Sequence, residues 1–222
     1  MKLFHSQTAT ALTLVIGCLS LGAPSVQATP ITVTGAGLGQ TVAVVTNNGT
    51  VTQNSWTGQI LVNMLGGSYV TYCFDLFTGI SASNYNSTFD SPANYTNGQR
   101  AAWIYEQNAL TATTNFLSAA LQLALWDVIH DGGNGFSAGN VRLASSVSAS
   151  LRTAAEALIN ASVGRTSTNA TILRNVSLAG NPAQALIVSG RLYPQPVPEP
   201  GTWVMMAAGL GALGWQRRRR GI

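Results

Sequence analysis

Residues 31–77 alternate apolar and polar positions, which is the period of strands that have one buried face. The alternating runs are ITVTG, QTVAVVT, TVTQ, WTGQILVNML and SYVTYCFDLF. Successive runs are separated by Asn47-Asn48-Gly49 and by Gly66-Gly67, and such residues are typical of tight turns. The pattern therefore predicts a series of strands joined by short turns.

Beyond Pro92 the apolar positions follow the period of helices. QRAAWIYEQ is predicted to form a short helix that is opened by a capping box, from Thr96 to Gln99. NFLSAALQLALWDVIH is predicted to form a second helix that ends at Asp131-Gly132-Gly133. SSVSASLRTAAEALINAS is predicted to form a third helix, and ATILRNVSL and AQALIVSGRLY to form two closing strands.

The order of these elements predicts the fold class. Strands, then helices, then strands again indicate an α+β domain, and we expect a β-barrel or β-sandwich with about three helices packed on one side. Residues 29–193 are enough for one such domain with its own core.

The N-terminal segment is typical of a secretory signal peptide. Lys2 precedes an apolar run, and Val26-Gln27-Ala28 has the small residues of a cleavage site, so residues 1–28 are predicted to be removed on export. Val15-Ile16-Gly17-Cys18 loosely resembles a lipoprotein cleavage box, and lipidation of Cys18 is the alternative.

The C-terminal segment also has the pattern of a targeting signal. Residues 194–200 are a Pro-rich linker, and residues 201–222 hold a short, mostly apolar stretch that ends in a basic block. This block consists of Arg217, Arg218, Arg219 and Arg220. The apolar stretch is predicted to be a short transmembrane segment, although the 15 residues from 201 to 215 span only about 22 Å of a bilayer core of roughly 30 Å. The arginines favour the cytoplasmic side.

The order of Pro198-Glu199-Pro200, apolar stretch and basic block resembles the PEP-CTERM sorting signal of Gram-negative bacteria. The resemblance implies an exported protein of the cell surface or extracellular matrix. It also implies transient anchoring in the inner membrane and recognition by exosortase-type sorting machinery. A plain single-span membrane anchor is the alternative.

The net positive charge of the chain lies in these two signals. Of 11 basic and 7 acidic residues, Lys2, Arg217–Arg220 and Glu199 lie in the signals, so the domain keeps six of each sign. A neutral domain has no basic patch for nucleic acid, and none is expected as a partner. The six basic residues that remain are all arginines, so the domain contains no lysine.

Two residues of the domain suggest chemistry. Cys73 is the one cysteine outside the predicted signal peptide, and on its predicted strand it lies on the face opposite the apolar set of Val70, Tyr72, Phe74 and Leu76. Gln122 is the single polar residue between Ala119 and Trp126, which predicts a buried amide in the second helix. A thiol that attacks such an amide releases ammonia and leaves a thioester.

Both motifs resemble those of the thioester domains of bacterial surface adhesins. Tyr72-Cys73 in YCFDL matches their cysteine motif, and LQLALW, which contains Gln122 and Trp126, matches their glutamine motif except that Leu121 replaces a common Thr. The resemblance implies an internal thioester between Cys73 and Gln122, which Tyr72 and Trp126 would shield from water. It implies single-turnover acyl transfer to an amine-bearing surface or matrix polymer, without enzymatic turnover or a cofactor. The absence of lysine supports this, because a lysine in the domain would consume the ester.

A hydrolase is one alternative function. Cys73 and His130, oriented by Asp127 or Asp131, are the residue types of a nucleophile, a base and an orienting group. The position of His130 in the last turn of a helix has a simpler cause, because a histidine there interacts favourably with the helix dipole. The domain has no second cysteine and no histidine cluster, so we expect no metal site.

A passive extracellular-matrix or carbohydrate-binding protein is the other alternative. Trp56, Tyr85 and Tyr95 are aromatic residues that are able to stack on sugars, although scattered aromatics more often pack in cores and loops. In such a protein Cys73 is a free thiol, and the Gln122 amide is satisfied by ordinary hydrogen bonds.

Overall fold

The computed structural model describes residues 28–192, which form seven strands and three α-helices. The strands are β1 Thr29–Thr46, β2 Val51–Met64, β3 Gly67–Cys73, β4 Ser83–Asp90, β5 Arg142–Leu143, β6 Ala170–Ser177 and β7 Pro182–Ser189. The helices are α1 Gly98–Asn108, α2 Asn115–Asp131 and α3 Ala149–Ala161, and single 3₁₀ turns lie at Asn47–Gly49 and Pro92–Asn94.

Six of the strands close into an antiparallel barrel. They pair in the order β1, β2, β3, β7, β6, β4, and β4 pairs with β1 again, while the two-residue β5 adds to the outer part of β1. The helices pack together, with α2 against β1 and β2 on one side and against α1 and α3 on the other. This confirms the predicted α+β fold with helices on one side, and of the two predicted architectures it is the barrel.

The ladders of the barrel differ greatly in length. β1 and β2 pair from Thr32 opposite Asn63 to Thr46 opposite Val51. β3 and β7 pair at just two positions, Tyr72 opposite Ile187 and Cys73 opposite Leu186. We refer to these two as the long β1–β2 ladder and the short β3–β7 ladder.

The long ladder joins runs that the sequence pattern separates. β1 contains both ITVTG and QTVAVVT, because the register shifts between Val33 and Gly35 and again between Ala36 and Gly39 without ending the strand. Gly58 on β2 has φ 150 and lies where an added Cβ would collide with the Leu38 carbonyl, so only glycine fits this close approach.

The second helix agrees with its prediction. The Thr114 side chain accepts a hydrogen bond from the Leu117 amide at the N-terminus, and Gly132 ends α2 in the left-handed conformation at φ 70. All residues from Ser118 to Val128 are buried, as expected of a helix that is apolar on every side.

The other helices begin differently from their predictions. The predicted capping box at Thr96 is wrong, because α1 begins after Asn97, which has φ 58 and makes no side-chain capping bond. α3 begins at Ala149, later than predicted, because the Ser148 hydroxyl accepts a hydrogen bond from the Leu151 amide and caps the helix there.

Two strands were missed by the pattern. β4, with the sequence SNYNSTFD, is polar enough to resemble a loop, yet Tyr85 and Ser87 are buried where it lies between β1 and β6. β5 is too short to produce a pattern.

Most of the two predicted targeting signals lies outside the described residues. The predicted signal peptide (residues 1–28), linker, apolar C-terminal stretch and arginine block fall almost entirely within residues 1–27 and 193–222. Within residues 28–192, no helix combines the length and the apolar character that crossing a bilayer requires.

Candidate functional site

Cys73 is the last residue of β3 and belongs to the short β3–β7 ladder. After it the chain leaves the strand, and the Phe74 amide donates to the Ala185 carbonyl at 2.7 Å. Thr71, Tyr72, Cys73 and Phe74 are all buried, so both faces of the chain are covered at this point. The prediction of one apolar face is wrong at Val70, which is 43% exposed.

The Gln122 side chain is bound to the main chain of Cys73 at both ends of its amide. The Cys73 amide donates to Gln122 Oε1 at 2.8 Å, and Gln122 Nε2 donates to the Cys73 carbonyl at 2.8 Å. Gln122 is fully buried, and these two bonds satisfy its amide inside the core. The structure therefore brings the two predicted thioester residues together, with the carboxamide against the residue that carries the thiol.

The Cys73 thiol has a second glutamine beside it. Cys73 Sγ donates a hydrogen bond to Gln184 Oε1 at 3.1 Å, and Gln184 Nε2 donates to the Asp75 carbonyl. Gln184 lies on β7 and was not predicted as a site residue. The sequence does contain the same signal that identified Gln122, because Gln184 is the one polar residue in the apolar run AQALIV.

The thiol is held in its neutral form. Burial raises the pKa of Cys73 to about 12, and the negative charge of Asp75 adds to the rise. At neutral pH the proton therefore stays on the sulfur until a reaction removes it.

The two predicted shielding residues lie on different sides of Cys73. Trp126 is 1% exposed and lines a cavity together with Cys73, and its Nε1 has no hydrogen-bond partner among the described residues. Tyr72 is fully buried on the opposite face of β3, where its hydroxyl lies 3.2 Å from Ser118 Oγ and its ring contacts Tyr105 edge-on. Tyr72 is not part of the cavity lining.

The cavity that reaches Cys73 has a volume of about 430 Å³. Cys73, Gln184 and Trp126 meet in its wall, and the rest is formed by β1, β2 and the segment 76–82. Its lining has no acidic or basic side chain, and Gln122 is not among the lining residues. A small molecule that enters thus meets the sulfur side of the Cys73–Gln122 pair in neutral surroundings.

His130 binds the main chain of the segment that follows β3. Its Nε2 accepts a hydrogen bond from the Leu76 amide at 3.3 Å, and its ring lies edge-on to Phe77 with the centroids 4.7 Å apart. Burial lowers the pKa of His130, which favours the neutral ring that accepts this bond. His130 thus fastens the segment after β3 to the end of α2.

The other candidate groups of a hydrolase also bind backbone. Asp131 accepts hydrogen bonds from the Asn140 and Val141 amides, and Asp127 accepts one from Gly135 at 3.2 Å. Within residues 28–192, no group of three or more His, Cys, Asp or Glu side chains is placed to hold a metal ion.

The aromatic residues considered for sugar binding have separate environments. Trp56 lines the cavity, and its Nε1 donates to the Gln59 carbonyl at 3.3 Å. Tyr85 is buried and its hydroxyl bonds to Ser81, while the Tyr95 hydroxyl donates to Asp90 at 2.8 Å. Only Trp56 of the three faces the space beside Cys73.

Comparison with known proteins identifies the C-terminal segment. Residues 196–220 match the family model described as PEP-CTERM protein-sorting motif. The chain carries a PEP-CTERM motif. The match includes Pro198, Glu199, Pro200 and the block Arg217–Arg220. The motif marks an exported, surface-associated protein that is handled by exosortase-type sorting machinery.

The described domain has a distant similarity to a solved structure. An N-terminal thioester domain of a surface protein from Clostridium perfringens matches with a TM-score of 0.37 and 15% identity, over 67% of this chain and 98% of that chain. A similarity this low carries no argument about the site. No curated protein matches the chain.

Proposed function

We propose that the exported domain forms an internal thioester between Cys73 and Gln122 and attaches covalently to an amine-bearing partner in a single acyl transfer. The observation that carries this proposal is the double hydrogen bond between the Gln122 carboxamide and the Cys73 main chain, at 2.8 Å each. It supports the proposal because the amide is held, fully buried, against the residue that bears the thiol.

Bond formation needs no co-reactant. Sγ of Cys73 attacks Cδ of Gln122, the Sγ–Cδ bond forms and the Cδ–Nε2 bond breaks, and the thiol proton leaves with the nitrogen as ammonia. The Cys73 amide already donates to Gln122 Oε1, the oxygen on which negative charge develops during the attack. A donor aimed at that oxygen is the arrangement that stabilises tetrahedral intermediates of acyl transfer.

Attachment uses the same geometry in the second step. An amine nitrogen attacks Cδ of Gln122, the Cδ–Sγ bond breaks, and one amine proton passes to Sγ, which leaves an amide at Gln122 and a free thiol at Cys73. The neutral cavity next to Cys73 suits the unprotonated amine, which is the nucleophilic form. The domain contains no lysine, so the amine comes from outside, on a surface or matrix polymer.

The sorting motif supports the place of action. We propose that a signal peptide at residues 1–28 directs export and that the segment 201–222 anchors the protein transiently in the inner membrane of a Gram-negative-type bacterium. Exosortase-type machinery then delivers the domain to the cell surface or extracellular matrix, where amine-bearing polymers are present.

A passive extracellular-matrix or carbohydrate-binding protein is the second candidate function. It is favoured by the same pair of hydrogen bonds, because they satisfy the buried Gln122 amide without any chemistry. In this case Cys73 is a buried free thiol.

Intact mass distinguishes the two functions. Freshly purified domain that has never met an amine is expected to weigh less than its sequence by one ammonia, with the Cys73 and Gln122 peptides linked. Cys73→Ala and Gln122→Ala should each abolish the deficit, while Gln53→Ala, which changes a glutamine of the nearby cavity lining, should keep it. A full-mass wild type would contradict the thioester and favour the passive protein.

Thiol labelling of the native protein is a weaker test. Cys73 is 3% exposed and its pKa is raised to about 12, so a free thiol at this position also reacts slowly. Labelling is therefore informative in denaturant, before and after treatment with methylamine. Methylamine is expected to add at Gln122 and to make Cys73 labelable in the same step.

A further inference from the structure

Gln184 is held in one orientation by its neighbours. Its main-chain amide donates to the Gly79 carbonyl at 3.1 Å, and its carbonyl accepts from Asn175 Nδ2 at 2.8 Å. Its side-chain Nε2 donates to the Asp75 carbonyl. Since a carbonyl can only accept, this last bond fixes which end of the amide is nitrogen and turns Oε1 toward Cys73.

Oε1 of Gln184 lies beside the Cys73 sulfur at the wall of the cavity. It accepts the hydrogen bond of Cys73 Sγ at 3.1 Å, and Gln184 lines the cavity beside Cys73 and Trp126. Gln184 is 8% exposed, so its acceptor is largely withdrawn from bulk water. An acceptor in this position needs a donor, because an unpaired buried carbonyl is costly.

We propose that Gln184 is the positioning residue for the incoming amine and that it selects primary amines. This rests on the proposed function. When the thioester forms, Sγ loses the proton that it donated to Gln184 Oε1. The oxygen then accepts an N–H bond from the amine that enters the cavity, which places the nitrogen next to the Sγ–Cδ bond.

The preference for primary amines follows from counting protons. A primary amine donates one N–H to Gln184 Oε1 and still has a second proton for Sγ as the Cδ–Sγ bond breaks. The amide product keeps the first proton, and the released thiol donates to Gln184 again. A secondary amine has a single proton for both roles, so it loses the hydrogen bond to Gln184 during the transfer.

The test compares methylamine and dimethylamine as probes on the wild-type exported domain and three variants. Gln184→Met removes the acceptor at similar length, and Gln184→Glu keeps an oxygen acceptor while it removes the Nε2 donor to the Asp75 carbonyl. Gln53→Met is the matched control, because Gln53 lines the same cavity and makes no hydrogen bond to the thiol among the described residues. Adduct formation is followed by intact mass and unfolding by denaturant titration.

Gln184→Met is expected to keep the ammonia deficit and to lose methylamine reactivity about tenfold, the effect of one neutral hydrogen bond. The reaction of this variant with dimethylamine should change less. The ratio of the methylamine rate to the dimethylamine rate should therefore fall. Gln184→Glu and Gln53→Met should keep the wild-type ratio. A purely structural role for Gln184 would slow both amines together and leave the ratio unchanged.

Three outcomes overturn the inference. The first is a rate ratio in Gln184→Met equal to that in Gln53→Met, which leaves the proposed function intact as long as wild type adds methylamine. The second is loss of the ammonia deficit in both Gln184→Met and Gln184→Glu while the fold is kept, since Gln184 would then act in forming the bond. Loss in Gln184→Met alone also overturns the inference, because the acceptor would then act in forming the bond and not in receiving the amine. The third, a full-mass wild type, removes the proposed function as well.

Discussion

The long β1–β2 ladder and the short β3–β7 ladder hold the same barrel together by different means. Main-chain pairing along nearly the whole of both strands holds β1 to β2. β3 and β7 share two paired positions, and beyond them the main-chain amides of Phe74 and Gln184 donate to the carbonyls of Ala185 and Gly79. The Gln184 side chain adds bonds to Cys73 and Asp75. Gln122 fastens α2 to Cys73 through both ends of its side-chain amide. The candidate site therefore lies where the main-chain ladder of the barrel is shortest and side-chain amides reinforce it.

The largest expected effect tests whether a covalent bond reinforces the short ladder. By the loop-entropy model for crosslinks, a thioester that closes the loop from Cys73 to Gln122 should stabilise the fold by about 4 kcal/mol, less any strain. Cys73→Ser should therefore unfold at a lower denaturant midpoint with the same overall fold. Wild type opened by methylamine is the control that keeps Cys73 itself. Equal midpoints for all three would argue against a crosslink.

The next largest expected effect is a pH dependence of stability that arises outside both ladders, near the end of α2. Burial raises the pKa of Asp127 from 3.8 to about 6, and its Oδ1 has no hydrogen-bond partner among the described residues. The folded state thus binds the proton more tightly than the unfolded chain, so the free energy of unfolding should fall as pH rises from about 4 to about 6, by up to about 3 kcal/mol.

Asp127→Asn should flatten this pH dependence, because its side chain does not ionise. The dependence should be the same in Cys73→Ser, because Asp127 is not part of the short ladder. A wild-type stability that rises between pH 4 and 6 would refute the assignment, as would an unchanged slope in Asp127→Asn. Denaturant titrations across this pH range provide the measurement.

A third prediction compares one side-chain contact to each ladder in a background without the crosslink. In Cys73→Ser, the change Gln122→Ala leaves a buried amide and carbonyl of residue 73 without their partner, and should cost about 1–3 kcal/mol. Thr57→Val removes the hydroxyl bond to the Gln40 carbonyl beside the long ladder and should cost about 1 kcal/mol or less. A larger cost for Thr57→Val would reverse the comparison.

The smallest expected effect is on the rate at which water hydrolyses the thioester at the short ladder. Trp126→Ala should speed spontaneous hydrolysis of the thioester about tenfold, a change of about 1.4 kcal/mol in the barrier, because Trp126 lines the cavity at Cys73. Hydrolysis appears as the gain of one water in intact mass. Trp126→Phe keeps an aromatic ring and is the milder control.

Tyr72→Leu separates the two proposed shields. Tyr72 lies on the opposite face of β3 from the cavity, so its replacement should speed hydrolysis less than Trp126→Ala does. A larger effect of Tyr72→Leu would show that water reaches the bond from the face of β3 that carries Tyr72 and not from the cavity.

The sequence predicts the parts of this fold whose pattern is local. α2 is apolar on every side and has clear caps, so its position and burial follow from the sequence. β4 does not, because its burial comes from neighbours on β1 and β6 that are distant in sequence, while its own residues are mostly polar. The failed capping box before α1 is a similar case, because the chain enters the helix through the left-handed Asn97.

The candidate site also contains residues that the sequence predicts and one that it does not. Cys73 and Gln122 were paired through motifs in the sequence, and the structure places them within hydrogen-bond distance. Gln184 has no such motif, and its contact with Cys73 depends on β7 lying next to β3. These two strands pair at only two positions and are more than a hundred residues apart in the chain. Only the folded barrel defines that contact.

If the proposed acyl transfer takes place, the order of the attachment points along the chain determines where tension acts. A partner bound at Gln122 and a sorting motif at 196–220 would pull on the chain between them. Residues 28–121, which include the long β1–β2 ladder, then carry no tension through covalent bonds. The reason is that attack of the amine on the thioester frees Cys73 from Gln122. A proteolytic cut in β1 or β2 would leave the partner covalently attached, whereas after a single cut between residues 123 and 192 denaturant would release it.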